Sequence, residues 1–127
     1  MLRTCYITII ILICCSSSCK RFNSDELNQQ MIQGKWRLMD VKRKAYDSIH
    51  IDYDKQITYL VFDGNKCTQE MVGLTTSNYT FTIHNYSLTL YVDSVFENKL
   101  EINTLTEDSL IFTQGRDSKW QYIRMEQ

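Results

Sequence analysis

Apolar and polar residues alternate along most of the chain from Lys35 onward. The alternation is clearest in residues 79–83 and 88–92, where Thr or Tyr separates apolar side chains. Because successive side chains of a β-strand point to opposite faces of a sheet, this pattern predicts strands with one face in a core. We predict eight strands: Trp36–Lys42, Gln56–Phe62, Lys66–Val72, Tyr79–His84, Ser87–Val92, Leu100–Leu105, Leu110–Thr113 and Trp120–Met125.

A short helical pattern precedes the first strand. Leu27 and Met31 lie four residues apart, and Ser24 is a typical N-cap because its hydroxyl can accept a free backbone N–H group. Gly34 is predicted to end the helix as its C′ residue. The pattern therefore predicts a helix of about two turns before the sheet begins.

Turn-forming residues separate the predicted strands. Asp63-Gly64-Asn65 is a hairpin signal, and Asn85, Glu107-Asp108 and residues 114–117 mark further turns. Short connections predict antiparallel neighbours, and no second helical segment is available to cover an open sheet. Closing the sheet buries one face and removes both edges. The predicted fold class is all-β: an antiparallel eight-stranded up-and-down barrel with a short N-terminal helix.

Composition and charge limit the function classes. The 127 residues include 14 Lys+Arg and 15 Asp+Glu, and 43% of them are hydrophobic. This length suits one domain, and this apolar content is that of a folded chain rather than a disordered one. The balanced charge excludes binding of nucleic acid by bulk charge, so we expect no nucleic-acid partner.

Residues 1–18 have the organisation of an export signal. Arg3 supplies a short positive region, residues 6–15 form an apolar run, and serines at positions 16–18 supply the small residues that a signal peptidase requires. The apolar run is shorter than the ~20 residues of a membrane-spanning helix. We predict a cleaved signal peptide over residues 1–18, with an uncleaved N-terminal anchor as the alternative.

Cysteine placement adds a lipid modification to this prediction. Four of the five cysteines lie within the first 19 residues, which leaves Cys67 alone in the body, so no disulfide is expected. Residues 15–19 resemble a bacterial lipobox, with the small Ser18 directly before Cys19. In that signal the cysteine is acylated and becomes the first mature residue. The resemblance therefore implies that Cys19 is lipidated.

The lipobox resemblance also implies a location and a domain organisation. The mature protein would be lipid-anchored at the outer membrane of a Gram-negative bacterium, on its periplasmic face or its surface. Residues 19–24 would form a polar tether, interpreted either as a plain linker or as a surface-export tag. Residues 25–127 would form the barrel domain.

The order of the remaining motifs resembles the lipocalin-like family. Gly34 and Trp36 form a Gly-x-Trp at the start of the first strand, and Arg124 lies near the end of the last strand. In lipocalins such an arginine packs across the tryptophan and closes one end of the barrel. The resemblance implies this barrel-closing role for the three residues. A guanidinium over an indole contributes about 0.5–2 kcal/mol.

The same resemblance implies a non-catalytic binding module for a small apolar or amphipathic ligand. An eight-stranded barrel is just wide enough to hold one small ligand or to be filled by its own side chains. The alternative is therefore a filled barrel that contacts an envelope protein or inhibits an enzyme. Four tyrosines are candidates either for a cavity lining or for packing: Tyr79, Tyr86, Tyr91 and Tyr122.

Catalytic and metal-binding chemistry is not indicated by the sequence. His50 and His84 are the only histidines, and together with Cys67 they lack the short spacings of a zinc site. No flanking motif supports a Cys–His nucleophile, and no Gly-rich phosphate loop or carboxylate pair is present. We predict no enzymatic activity, no metal and no cofactor, with Cys67 as a small apolar wall residue.

Short motifs also suggest surface modification. Ser48, Ser94 and Ser109 each follow Asp and precede an aliphatic residue, and so resemble periplasmic O-glycosylation acceptors of some Gram-negative bacteria. Asp-Ser is also ordinary turn chemistry. Asn78 and Asn85 begin N-glycosylation sequons, which we interpret as coincidence in a bacterial protein.

Overall fold

The computed structural model describes residues 23–43 and 52–125 of the chain. These residues form one helix and eight strands, and each strand pairs antiparallel with the next. The last strand pairs with the first, so the sheet closes into a barrel and the predicted fold class is confirmed. The elements are α1 (Asp25–Met31), β1 (Gly34–Arg43), β2 (Thr58–Asp63), β3 (Lys66–Met71), β4 (Thr75–His84), β5 (Ser87–Val92), β6 (Val95–Leu105), β7 (Ser109–Gln114) and β8 (Ser118–Arg124).

Two strands begin four or more residues earlier than the sequence pattern predicted. β4 begins at Thr75 rather than Tyr79, and β6 begins at Val95 rather than Leu100. Most of the additional residues are exposed, so no apolar alternation marks them as strand. The turn before β6, Asp93-Ser94, has positive φ at both residues (49° and 67°) and contains no glycine, the usual signal for such a turn.

The core fills the end of the barrel at which β1 begins. Phe62 and Phe81 meet edge to face with their ring centroids 5.1 Å apart. Phe112 and Tyr122 meet in the same way at 5.9 Å. Edge-to-face contacts of this kind contribute beyond the burial of the rings themselves. One pair joins β2 to β4 and the other joins the neighbouring strands β7 and β8.

Helix α1 lies across this end of the barrel, which we call the closed end. The Ser24 hydroxyl accepts a hydrogen bond from the backbone N–H of Leu27 at 3.1 Å, as an N-cap does. Gln33 accepts from the backbone N–H of Gly64 and donates to its carbonyl, at 2.8 and 2.9 Å. Asp25 accepts from the backbone N–H of Asn85 at 2.7 Å. The helix is therefore fixed to two hairpin turns, β2–β3 and β4–β5.

Side chains from the barrel satisfy the free carbonyls at the end of α1. The Trp36 indole N–H donates to the carbonyl of Ile32 at 2.8 Å. The Arg124 guanidinium donates to the carbonyls of Met31 and Gln33 at 2.5 and 2.6 Å. The last carbonyls of a helix have no intrahelical partner and carry partial negative charge, so a cation is favourable there.

Gly34 does not end the helix as its C′ residue, and that part of the prediction was wrong. The residue begins β1, two positions beyond Ile32, which is the helix C-cap. Its φ is +119°, and a Cβ atom there would lie 2.8 Å from Nη1 of Arg124. Glycine at this position lets the guanidinium approach the backbone closely.

Arg124 also joins the strands at the seam of the barrel. It pairs with Trp36 in the β1–β8 register, and its guanidinium carbon lies 4.1 Å from the centre of the fully buried indole ring. Its Nε donates to the carbonyl of Glu107, in the connection between β6 and β7, at 2.5 Å. One side chain thus connects α1, β1, β8 and the β6–β7 turn.

Replacing Arg124 tests this closure. We expect Arg124→Ala to lower the free energy of unfolding by about 3 kcal/mol or more, since it leaves three backbone carbonyls without their charged donor. Arg124→Lys should recover little, because an ammonium group lacks the planar fork that reaches separate acceptors. Urea denaturation measures both variants. Arg116→Ala, in an exposed turn, is the control and should change stability by about 0.5 kcal/mol or less. A loss below about 1 kcal/mol for Arg124→Ala would contradict this account.

Candidate ligand-binding cavity

The barrel interior contains a cavity of about 290 Å³. This volume is at the lower end of the roughly 300–1,000 Å³ of small-molecule sites. Leu88 and Phe112, at most 1% exposed, lie at its deep end, whereas the exposed Glu97 lies at its rim. The cavity therefore opens at the end of the barrel opposite α1, which we call the mouth. Its lining residues are Leu60, Phe62, Cys67, Gln69, Tyr79, Leu88, Leu90, Glu97, Asn98, Leu100, Phe112, Trp120 and Tyr122.

Polar groups of the cavity lie on β3 and β6, toward the mouth. Gln69 and Asn98 occupy inward positions opposite Leu60 and Leu90 respectively. Glu97 has no partner of its own in the β5–β6 register, which shifts at this point. Such a bulge redirects the extra side chain, and here it adds a carboxylate to the cavity rim. The sequence showed no signal for this bulge.

The Asn98 amide is held in place by its neighbours. Its Oδ1 accepts a hydrogen bond from Nε2 of Gln114 at 2.5 Å and another from the backbone N–H of Lys99 at 2.9 Å. Both bonds go to the amide oxygen. The amide oxygen of Asn98 is thereby occupied, which leaves the amide nitrogen as the group of this side chain that can donate a hydrogen bond.

The four candidate tyrosines divide between the cavity and other places. Tyr79 and Tyr122 line the cavity. Tyr86 lies in the β4–β5 turn, where its hydroxyl accepts from the backbone N–H of Asn23 at 2.7 Å. Tyr91 lies on the outer face of β5, because its neighbours in sequence point inward. Inward and outward tyrosines have the same residue type, so composition alone could not separate them.

Tyr53 and Trp120 are aromatic residues of the interior that the sequence analysis did not single out. Tyr53 comes from the connection before β2 and packs against the core. Burial raises its pKa, the nearby Arg43 lowers it and Asp40 raises it. The guanidinium carbon of Arg43 also lies 5.7 Å from the centre of the Trp120 ring. A cation therefore stands beside the aromatic residues near the mouth.

Cys67 is 1% exposed and lines the cavity wall at the start of β3. Burial raises the pKa of its thiol to about 12, so the thiol stays protonated at neutral pH. Burial likewise raises the pKa of Tyr122, with smaller contributions from Cys67 and Tyr53. A thiolate is the reactive form of cysteine, and this environment disfavours it.

His84 does not join Cys67. His84 lies at the end of β4 on the outer face, with Nδ1 3.2 Å from a carboxylate oxygen of Asp25. The barrel wall separates it from the inward-pointing Cys67. His50 lies outside the described residues. Within residues 23–43 and 52–125, no group of three or more His, Cys, Asp and Glu side chains could hold a metal ion.

The modification motifs fall in different environments. Ser94 is exposed in the β5–β6 turn, whereas Ser109 is half-buried and pairs with Ile123 as the first residue of β7. The strand that was predicted to begin at Leu110 thus includes Ser109. Asn78 is exposed in the middle of the β3–β4 pairing. Ser48 and Cys19 lie outside the described residues, and their modification stays a prediction.

The part of the chain that the structure describes has no helix long and apolar enough to cross a membrane.

A closed eight-stranded antiparallel barrel with one covering helix and an internal cavity defines a lipocalin-like protein. A family model described as "Lipocalin-like domain" matches residues 32–112. The chain belongs to the lipocalin-like domain family. Among solved structures it is similar to a lipocalin-like protein from Bacteroides uniformis, with 13% sequence identity and a TM-score of 0.61, over 75% of this chain and 99% of that one. At this identity the likeness shows the fold alone. No curated protein sequence matches the chain.

The environment of Cys67 predicts a pH-dependent reactivity. We expect Cys67 to react slowly with iodoacetamide at pH 8 in the folded protein and rapidly in urea, because the folded thiol is buried and protonated. The folded thiol keeps a proton that the unfolded chain releases, so this group makes stability fall as pH rises from 9.0 to about 12. Peptide mass mapping of residue 67 measures the alkylation. Equal rates in the folded and unfolded chain would contradict this placement, and Cys67→Ala should reduce the loss of stability at high pH.

Proposed function

We propose that this lipocalin-like domain is a non-catalytic binding module that holds one small amphipathic ligand in its barrel. The observation that carries the proposal is the cavity of about 290 Å³, which opens at the mouth. A barrel filled by its own side chains would leave no such space, so the cavity favours ligand binding over the filled-barrel alternative. Members of the lipocalin-like family are generally non-catalytic binding proteins, which is consistent with this proposal.

The distribution of polar groups suggests the ligand's chemistry. The deep part of the cavity is apolar and includes Leu88 and Phe112, whereas Gln69, Glu97 and Asn98 lie toward the mouth. An apolar body would gain free energy from burial in the deep part. The Glu97 carboxylate accepts hydrogen bonds and repels anions, so it favours a head group that donates hydrogen bonds or carries positive charge.

Narrowing the cavity tests ligand binding. The neutral fluorescent probe N-phenyl-1-naphthylamine should gain fluorescence with the wild-type protein, and Leu60→Trp should weaken its binding about tenfold or more, a loss of about 1.4 kcal/mol. Leu60 points into the cavity. Val61→Trp is the matched control, because Val61 is the next residue of β2 and points to the outer face.

Circular dichroism must show both variants folded before their titrations are compared. Equal weakening by Leu60→Trp and Val61→Trp would contradict binding inside the barrel. No probe binding to the wild type, together with no small molecule in native mass spectra of the protein from its own host, would favour the filled-barrel alternative. That alternative assigns the protein to contact with an envelope protein or inhibition of an enzyme.

We also propose that the protein is anchored by acyl chains on Cys19 at the outer membrane of a Gram-negative bacterium. The support is the sequence alone: an apolar run, small serines and a cysteine in lipobox order. Residues 1–18 would then be the signal peptide and residues 19–24 the tether. Two acyl chains are enough for stable anchoring, so the bilayer would be the protein's membrane partner.

Substituting the proposed acceptor tests the anchor. Cys19→Ser is expected to yield a product without lipid mass that no longer fractionates with membranes. Cys15→Ser is the matched control, because it changes the neighbouring cysteine and should keep the lipid. Intact mass spectrometry and palmitate labelling measure both variants. Labelling that persists in Cys19→Ser but is lost in Cys15→Ser would place the acceptor at the wrong residue.

A further inference from the structure

One side of the barrel carries no charge over a long stretch of chain. Residues 72–92 contain no Asp, Glu, Lys or Arg, although these residues make up 23% of the protein. The stretch includes both β4 and β5, which are neighbours in the sheet. Their outward side chains toward the mouth form what we call the neutral face: Thr76, Asn78, Thr80, Thr82, Thr89 and Tyr91. The outward His84 and Ser87, at the closed end of the two strands, contact the carboxylates of Asp25 and Glu101 and are not part of this face.

Charged side chains return on the strands that flank the neutral face. On β3, Glu70 pairs with Thr76 and Lys66 with Thr80. On β6, Lys99 pairs with Thr89. The absence of charge is therefore confined to two strands and is not a general property of this barrel's surface.

Exposed apolar side chains lie at the mouth end of the neutral face. Leu74 is 69% exposed in the β3–β4 turn. Phe96 of β6 is 60% exposed and pairs with Tyr91 of β5. Val72 is exposed in the same β3–β4 turn as Leu74, and Val95 is exposed next to Phe96 at the start of β6. We call these four residues the apolar tips. Large apolar side chains that cluster at adjacent turns mark an interaction surface.

The proposed lipid anchor would emerge at the other end of the same face. The backbone N–H of Asn23 donates to the Tyr86 hydroxyl in the β4–β5 turn, so the chain enters the barrel at this turn. Cys19 is only four residues earlier. Four residues span at most about 14 Å even when fully extended. An acylated Cys19 would therefore keep this end of the neutral face close to the bilayer.

We propose that the neutral face and the apolar tips form a membrane-docking surface, an inference that rests on the proposed lipid anchor. β4 is roughly 30 Å long, so the barrel can lie along the bilayer with the tips in the lipid. No charged side chain of the face needs to be dehydrated in this orientation, and the tether raises the effective concentration of bilayer at the tips. The mouth then opens at the membrane surface, where an amphipathic ligand can pass between bilayer and cavity.

Lipid-borne quenchers test the orientation. The full acylated chain is reconstituted into phosphatidylcholine vesicles that contain brominated phosphatidylcholine, with an environment-sensitive fluorophore on Leu74→Cys, Thr80→Cys or Arg116→Cys. We expect loss of fluorescence at positions 74 and 80 and an unchanged signal at 116. Arg116 is the matched control, because it is exposed at the same end of the barrel but in the β7–β8 turn. Cys67 is buried and should not be labelled.

A charged variant separates docking from anchoring. The double variant Leu74→Glu and Phe96→Glu should abolish quenching at position 80 while the protein still floats with the vesicles. If the labels at positions 74 and 80 are not quenched in a protein that has no glutamate substitution and still floats with the vesicles, the docking surface is overturned. The face would then be available to a protein partner. Equal quenching at all three positions would overturn it too, since the whole mouth would then face the lipid. A chain that does not float would overturn the anchor itself and this inference with it.

Discussion

The contact between Arg124 and the end of α1 is the constraint on which the rest of the barrel depends. Its guanidinium binds the carbonyls of Met31 and Gln33, while its planar face covers the ring of Trp36. Because β1 and β8 are the first and last strands, this contact also fixes the seam at which the sheet closes. Gly34 is part of the same constraint, since a Cβ atom there would meet the guanidinium. The Arg124 guanidinium alone therefore caps a helix, covers an aromatic ring and joins the two strands.

Closure at one end determines what the other end can do. With α1 and Trp36 filling the closed end, the space that the core side chains leave free lies toward the mouth, between Leu88 and Glu97. The β6 bulge then decides the polarity of this space, because it brings a carboxylate beside the inward Asn98. The contacts at the closed end therefore stabilise the fold, whereas the mouth contains a cavity with both apolar and polar lining residues.

Alternation, hairpin signals and the order of motifs were enough to predict the strands, the barrel and the Ser24 N-cap, because each reflects local periodicity or chemistry. The errors have a common origin in contacts between distant residues. Gly34 looked like a helix cap, but its conformation serves an arginine ninety positions later. The Asp93-Ser94 turn contains no glycine, so β6 was predicted to start late. Tyr53 packs inward from a polar connection, and no local pattern distinguishes it from a solvent-exposed tyrosine. The cavity itself depends on how side chains from all strands fill the interior, which sequence periodicity does not specify.

The outer surface of the barrel carries information that neither the fold nor the family supplies. Outward side chains of a barrel that is surrounded by water can be charged without loss of stability. The outer faces of β3 and β6 do carry charged side chains, such as Glu70 and Lys99. β4 and β5 lie between them without one Asp, Glu, Lys or Arg, and the exposed Leu74 and Phe96 lie beside the mouth end of these two strands. Barrel stability does not require this, since Thr and Asn on an outer face make few contacts with the core. The membrane docking proposed above would account for it, since a bilayer held close by a lipid anchor on Cys19 would tolerate uncharged hydroxyl and amide groups at its surface, take up the apolar tips and exclude buried charge.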